Sequence, residues 1–169
     1  MIKVIFENEN FVVVDKPAGW LSVPGRSAGA DPRPCLSHEL RARWAGALPV
    51  HRLDGEVSGV ILFALGADAH RAGNAWFEGR LVKKRYLALT EGAPPPDPRE
   101  AKLWECRLAR GKKRAFEAPH GKPAVTRALW LRQRNELDAQ EWLLEPLTGR
   151  SHQLRYEPFR HGHPILGDS

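Results

Sequence analysis

The longest apolar run in this chain, residues 60–65, is only of strand length, and the other apolar segments are as short, separated by turn-forming residues. Such a pattern leaves no room for a bilayer-spanning helix, which needs roughly 20 apolar residues. It favours a domain assembled from many short strands with a few helices. At 169 residues and 42% hydrophobic content there is material for one packed core, so residues 1–169 are expected to form a single domain. The opening residues Ile2, Lys3, Val4, Ile5, Phe6 and Glu7 lack the long apolar stretch of a signal peptide.

Strands are expected at 4–6 and 11–14, joined by the polar turn Glu7, Asn8, Glu9 and Asn10, and again at 60–65, 86–90, 103–108, 126–131 and 141–144. Leu36, Leu40 and Trp44 recur at helical spacing, with Ser37 as a candidate N-cap. Asp68 is a candidate cap for a second helix in which Ala72, Ala75 and Trp76 share a face. Residues 151–160 have helical composition, although Pro158 should kink or end that helix unless local geometry compensates. Loops are expected at 22–34 and at the proline-rich 92–98. Trp44, Trp76 and Trp130 are expected in the core. The fold class implied is α+β, a mixed, largely antiparallel β-sheet with flanking helices.

The 26 Lys and Arg residues outnumber 20 Asp and Glu, giving a net charge of +6 and favouring a polyanionic partner, with no membrane contact. The basic residues gather at 83–85, 110–114 and 127–134. Charge alone fits a phosphate-binding field and a solvated basic face equally well. Arg26 and Arg33 in the first loop could touch phosphate, but the favoured reading is that they keep the loop soluble. Cys35 and Cys106 stand far apart, without the paired spacing of a zinc site or a disulfide framework, which fits a reducing cytoplasm. His161 and His163 have no third ligand beside them, so no metal is expected.

The chemistry concentrates at 50–60, where His51, Arg52 and Asp54 precede the apolar strand. A loop feeding a rigid strand holds a reactive group in a fixed place. Read alone, however, an aspartate beside an arginine is more often a turn or an ion pair.

The sequence His51-Arg52-Leu53-Asp54 followed by Ser58-Gly59 resembles the HRLD-x-x-T-S-G signature of the RluA family of pseudouridine synthases. Further blocks agree in order: Asp15-Lys16-Pro17-Ala18-Gly19, Leu21-Ser22-Val23-Pro24-Gly25-Arg26, Lys84-Arg85-Tyr86-Leu87-Ala88, Gly121-Lys122-Pro123-Ala124-Val125-Thr126, and Thr148 through Arg155 with Gly149, Arg150, Ser151, His152, Gln153 and Leu154. Gly162-His163-Pro164-Ile165-Leu166-Gly167-Asp168 closes the set. Seven ordered blocks are far more specific than any one of them.

The resemblance implies a pseudouridine synthase catalytic fold and isomerisation of a uridine in a stem-loop of rRNA or tRNA, without a cofactor. Asp54 would be the essential carboxylate, by a covalent or a proton-abstracting route. Arg155 would pair with it and keep it ionised. Tyr86 would stack on the uracil and assist loss of the C5 proton. Its plain alternative is an ordinary strand tyrosine. Arg52 would fill the stack left by the extruded nucleotide, or else bridge to a neighbouring acid. Leu154 would pack beneath the uracil or serve as core, and Arg150 and His51 fall on the substrate side. His51 and His152 are cast as structural hydrogen bonders.

The chain departs from the family pattern at Val57, where threonine is usual, and at Tyr156-Glu157-Pro158-Phe159. The resemblance covers the family's catalytic core, and neither the usual C-terminal tail nor an S4-type domain is expected. A monomer is the default expectation. Two other readings stay open: an RNA-binding protein that keeps the fold without turnover, and a small-substrate hydrolase, which would lack a nucleophile elbow here.

Overall fold

The computed structural model describes residues 2–25, 31–111 and 114–168, so the expectations placed on Arg26, Lys112 and Lys113 fall outside it. The chain divides into two compact units, Met1–Leu81 and Val82–Ser169.

In the first unit β1 (Lys3–Glu7), β2 (Phe11–Lys16), β3 (Ala47–Pro49) and β4 (Gly59–Leu65) form an antiparallel sheet in the order β1-β2-β4-β3. The first hairpin closes because the Asn8 side-chain oxygen accepts from the Asn10 and Phe11 amides, at 3.0 and 2.8 Å. Strand alternation then sends Val12, Val14 and Lys16 to one face. Val12 lies opposite Phe63 and Val14 opposite Ile61, and all four are fully buried. The same alternation carries Lys16 into the interior, where its ammonium must find acceptors.

Two helices accompany this sheet, α1 (Leu36–Arg43) and α2 (Ala67–Glu78). Both start differently from the sequence reading. Cys35 occupies the N-cap of α1 and Ser37 lies buried inside it, while Gly66 caps α2 and Asp68, in the first turn, pairs with Arg71. The buried face of α2 is Ala69 and Gly73, with Phe77 packed behind, and Ala72, Ala75 and Trp76 are exposed. The cause is close approach: a methyl on Gly73 would sit 2.8 Å from a Val50 methyl, so the face with least side chain faces inward.

The second unit holds β5 (Tyr86–Thr90), β6 (Lys102–Arg110), β7 (Ala115–Glu117), β8 (Lys122–Arg134) and β9 (Ala139–Pro146) in the antiparallel order β5-β9-β8-β6-β7. Helix α3 (Gln153–Arg160) follows, and it runs through Pro158 to end two residues later. A proline in the final turn removes one hydrogen bond where the helix is about to finish. The core tryptophans are Trp104 and Trp142, whose rings lie 5.4 Å apart among Ala88, Ala128 and Leu144. They replace the expected Trp44, Trp76 and Trp130. Trp44 is only half-buried, donating to Glu7 beneath the Arg43 guanidinium; Trp76 is exposed beside Phe11; Trp130 is half-buried and donates to Gln140. Their polar edges keep these three at the boundary.

The α+β class and the largely antiparallel pairing stand, with the strands shared between a four-stranded and a five-stranded sheet. β3 and β7, three residues each, escaped the sequence reading because alternation cannot show in so short a segment. The basic stretch on β8 is partly neutralised by its neighbour strand. Arg127 and Arg85 share Glu145, while Arg132 and Arg134 share Glu141. Hydrogen bonds from Arg132 and Arg134 hold the Glu141 carboxyl below its usual range, and those from Arg127 and Arg85 do the same for Glu145.

Candidate active site

Residues 50–58, leading into β4, form neither helix nor strand, yet the backbone on either side of Asp54 is tied down. Before it, the Leu53 amide donates to the Ser22 hydroxyl oxygen at 3.0 Å, and that hydroxyl donates back to the Leu53 carbonyl at 2.6 Å. After it, the Gly55 carbonyl accepts from the Lys16 ammonium at 3.1 Å and from the Gly19 amide at 2.8 Å. The Val57 amide closes the turn onto the Asp54 carbonyl at 3.2 Å. A half-buried carboxylate is thus presented from a loop with fixed neighbours.

Lys16 is the anchor of this arrangement. Its ammonium also donates to the carbonyls of Trp20 and Pro17, at 2.7 and 3.0 Å, which matches three protons to three acceptors. Burial pushes its pKa down, and the charges of Glu56 and Asp54 push against that shift. His51 is fastened to β4, its Nε2 accepting from the Leu62 amide at 3.1 Å and its ring stacked on Phe77 at 4.8 Å. Arg52 is exposed. Arg33 is engaged by Asp31 at 2.8 Å and Glu56 at 3.1 Å, and a methyl on Gly55 would come within 2.5 Å of its guanidinium.

In the second unit Tyr86 and Leu154 pack together with Ile165 against the Trp104, Trp142 and Leu144 cluster. The Arg155 guanidinium grips both oxygens of Asp168 in a fork, at 2.8 and 2.5 Å. This pair stands in the wall of a cavity of about 380 Å3, lined also by Arg114, His152, Tyr156 and Phe159. Ligand sites run to roughly 300–1,000 Å3, so the cavity is of binding size. Arg150 sends its Nε to the Pro123 carbonyl at 2.8 Å. His161 stacks on Trp104 and His163 packs on Trp142, so both rings cover the edge of the tryptophan cluster, His161 partly exposed and His163 half-buried. Burial holds both imidazoles below their ordinary pKa. Among the described residues no group of three or more His, Cys, Asp or Glu side chains is placed to hold a metal ion, and no helix is long and apolar enough to cross a membrane.

The first unit therefore gathers His51, Arg52 and Asp54 on one anchored loop, and the second gathers Tyr86, Leu154, Arg150 and Arg155 around the start of α3. Sequence reasoning gave no role to Lys16, Ser22 or Asp168, although each lies in a block quoted above. The available signal for Lys16 was the alternation Val12, Val14, Lys16. Nothing comparable marks Ser22 or Asp168.

Residues 10–158 match the family model described as RNA pseudouridylate synthase. The fold and the anchored Asp54 loop thus stand in a chain of that class. The dual-specificity RNA pseudouridine synthase RluA of Pasteurella multocida (strain Pm70) is 38% identical over 172 residues, covering 99% of this chain and 75% of its own. The protein of the same description from Escherichia coli (strain K12) is 36% identical over 166 residues, covering 98% and 74%. Among solved structures, human RNA Pseudouridylate Synthase Domain Containing 1 superposes with a TM-score of 0.81 at 27% identity, over 99% of this chain and 68% of that one. The chain belongs to the RluA family of pseudouridine synthases.

Proposed function

We propose that this chain converts a specific uridine to pseudouridine in a stem-loop of rRNA or tRNA, with Asp54 as the catalytic carboxylate. The observation that carries the reading is the double anchoring of its loop, by Ser22 at Leu53 and by Lys16 at Gly55. A reactive group gains most when its geometry is fixed before the substrate arrives. In the reaction the N1 to C1′ bond of the uridine breaks and a C5 to C1′ bond forms; the C5 proton leaves and N1 ends protonated. The change is an isomerisation with no net redox step, and it asks for no cofactor.

Arg155 serves as the guanidinium partner of the reacting carboxylate, with Asp168 steering it. Tyr86 receives the uracil on its ring, above Leu154, and assists removal of the C5 proton. Arg52, exposed on the same loop as Asp54, replaces the extruded nucleotide in the stack. His51 and Arg150 hold backbone on the substrate side. RNA loops suit such an enzyme because their bases are open to stacking and edge contacts. We further assign the chain to the cytoplasm, as a monomer in which both compact units serve one catalytic domain.

Transcripts carrying tritium at uridine C5, one set ribosomal and one set transfer RNA, test the proposal. The wild type should release tritium to water from at least one set, and Asp54→Asn should reduce release by at least about a thousandfold. Tight RNA binding without release from any transcript would identify an RNA-binding protein instead.

A further inference from the structure

We propose that Gln153 is a positioning residue for this reaction, fixing the first turn of α3, and with it Leu154 and Arg155, through a closed hydrogen-bond network with Thr148. The inference rests on the function proposed above. The start of α3 is unusual: its N-cap, His152, lies in the left-handed region at φ 56° and makes no side-chain capping bond. A helix entered that way lacks the customary anchor of its first turn.

Gln153 supplies the anchor from inside the helix. Its side chain is only 3% exposed, and both ends of its amide are filled. Nε2 donates to the Val125 carbonyl at 3.0 Å and to the Thr126 hydroxyl oxygen at 2.9 Å. Oε1 accepts from the Thr148 hydroxyl at 2.8 Å and from the Arg150 amide at 3.0 Å. The orientation is forced, because an amide N–H can only donate and a carbonyl can only accept. Thr148 is committed in the same way: its oxygen accepts from the Val125 amide at 2.9 Å, which directs its own proton to Gln153. Thr126 and Thr148 are themselves buried, so water cannot stand in for a missing member.

No other side chain of this length fits. Glutamate would set an acceptor against the Val125 carbonyl, and methionine would take away the acceptor of the Arg150 amide and of the Thr148 hydroxyl. The network joins the first half of β8, the segment after β9 and the first residue of α3. It reaches the chemistry through backbone, one residue before Leu154 and two before Arg155. Gln153 is too deeply buried to touch RNA, so its contribution must appear in turnover rather than in binding.

The test compares Gln153→Met, Thr148→Val and Thr148→Ser with wild type. Single-turnover tritium release at saturating enzyme, the RNA Kd and far-UV circular dichroism are read for each. The first two variants should lose roughly 10- to 100-fold in rate while the Kd stays within about twofold. Thr148→Ser, which keeps the hydroxyl, should stay near the wild-type rate. Wild-type rates in Thr148→Val and Gln153→Met overturn the proposal. So does a loss in Kd at unchanged rate, or a rate that falls only with the folded fraction seen by circular dichroism. Should Gln153→Met fail to fold, the Thr148→Val and Thr148→Ser pair decides, since each makes a minimal change. An inactive Asp54→Asn beside wild-type network variants defeats the positioning role alone; an active Asp54→Asn defeats the function.

Discussion

Among the described residues each unit buries one charged side chain completely, Lys16 in the first and Glu157 in the second, and the two solve the problem in opposite ways. In the first unit Lys16 meets three backbone carbonyls, one for each ammonium proton. In the second, Glu157 on α3 accepts from the Cys106 thiol at 3.0 Å through one oxygen, while its other oxygen has no hydrogen-bond partner. Burial raises the Glu157 pKa, and burial first, then the Glu157 hydrogen bond, pushes the Cys106 thiol up to about 12. A buried charge with every proton matched can serve as a rigid tie, whereas a half-matched acid is driven towards its neutral form. The contrast separates a group that organises the catalytic loop from one that only fills the interior, with its thiol neighbour kept unreactive.

The largest effect should come from Lys16→Met, which keeps the length of the side chain and removes all three bonds. Three carbonyls lose a charged donor, and the expected loss of stability is about 3 kcal/mol, read from urea unfolding. Turnover should fall with it, because Gly55, beside Asp54, is then held by the Gly19 amide alone. An unfolding midpoint equal to wild type would mean that the buried ammonium contributes no more than an apolar chain of that length, and the contrast with Glu157 would disappear.

Ser22→Ala should come next. One hydroxyl serves both the amide and the carbonyl of Leu53, and the site is buried, so the Leu53 amide would be left unmatched. The expected cost is about 1–2 kcal/mol by urea unfolding. Tritium release per folded molecule should drop while RNA affinity holds, since only the preorganisation of Asp54 is disturbed. An unchanged rate would place the anchoring of the loop on Lys16 alone.

These two residues also mark how far the sequence could be read. Strands with clear alternation, such as Phe11–Lys16 and Tyr86–Thr90, were visible because packing and pattern agree there. The site residues were visible only as members of ordered blocks; their partners were not. That Ser22 would bridge to Leu53, or Asp168 to Arg155, depends on chain reversals that no local pattern encodes. Helix starts misled for a related reason. Ser37 and Asp68 are good caps by residue type, yet backbone geometry put Cys35 and Gly66 there. The buried face of α2 was missed because Gly73, the residue that permits contact with Val50, carries no side chain to enter a periodicity.

The smallest effect, and the one that tests the other half of the contrast, belongs to Glu157→Gln. The groups around Glu157 are Cys106 and Glu105 from β6, Glu117 from β7, Arg160 from α3 itself and His161 just beyond its end. Burial raises its pKa, so over the window from the ordinary carboxylate range upward the folded chain keeps a proton that the unfolded chain has released. Stability from this group is therefore present below that window and falls as pH rises through it. Glutamine stays neutral at every pH and can still accept from Cys106, so the variant should lose that decline. His161 works in the other direction: burial keeps its imidazole neutral, and its contribution is lost as pH falls below the ordinary histidine range. His161 is present in both proteins, so its own titration cancels from the difference in Tm apart from its coupling to Glu157, and that difference should grow in favour of the variant from pH 5 to pH 8. A difference that shrinks over that range would mean that Glu157 is ionised and matched in the fold, in the manner of Lys16.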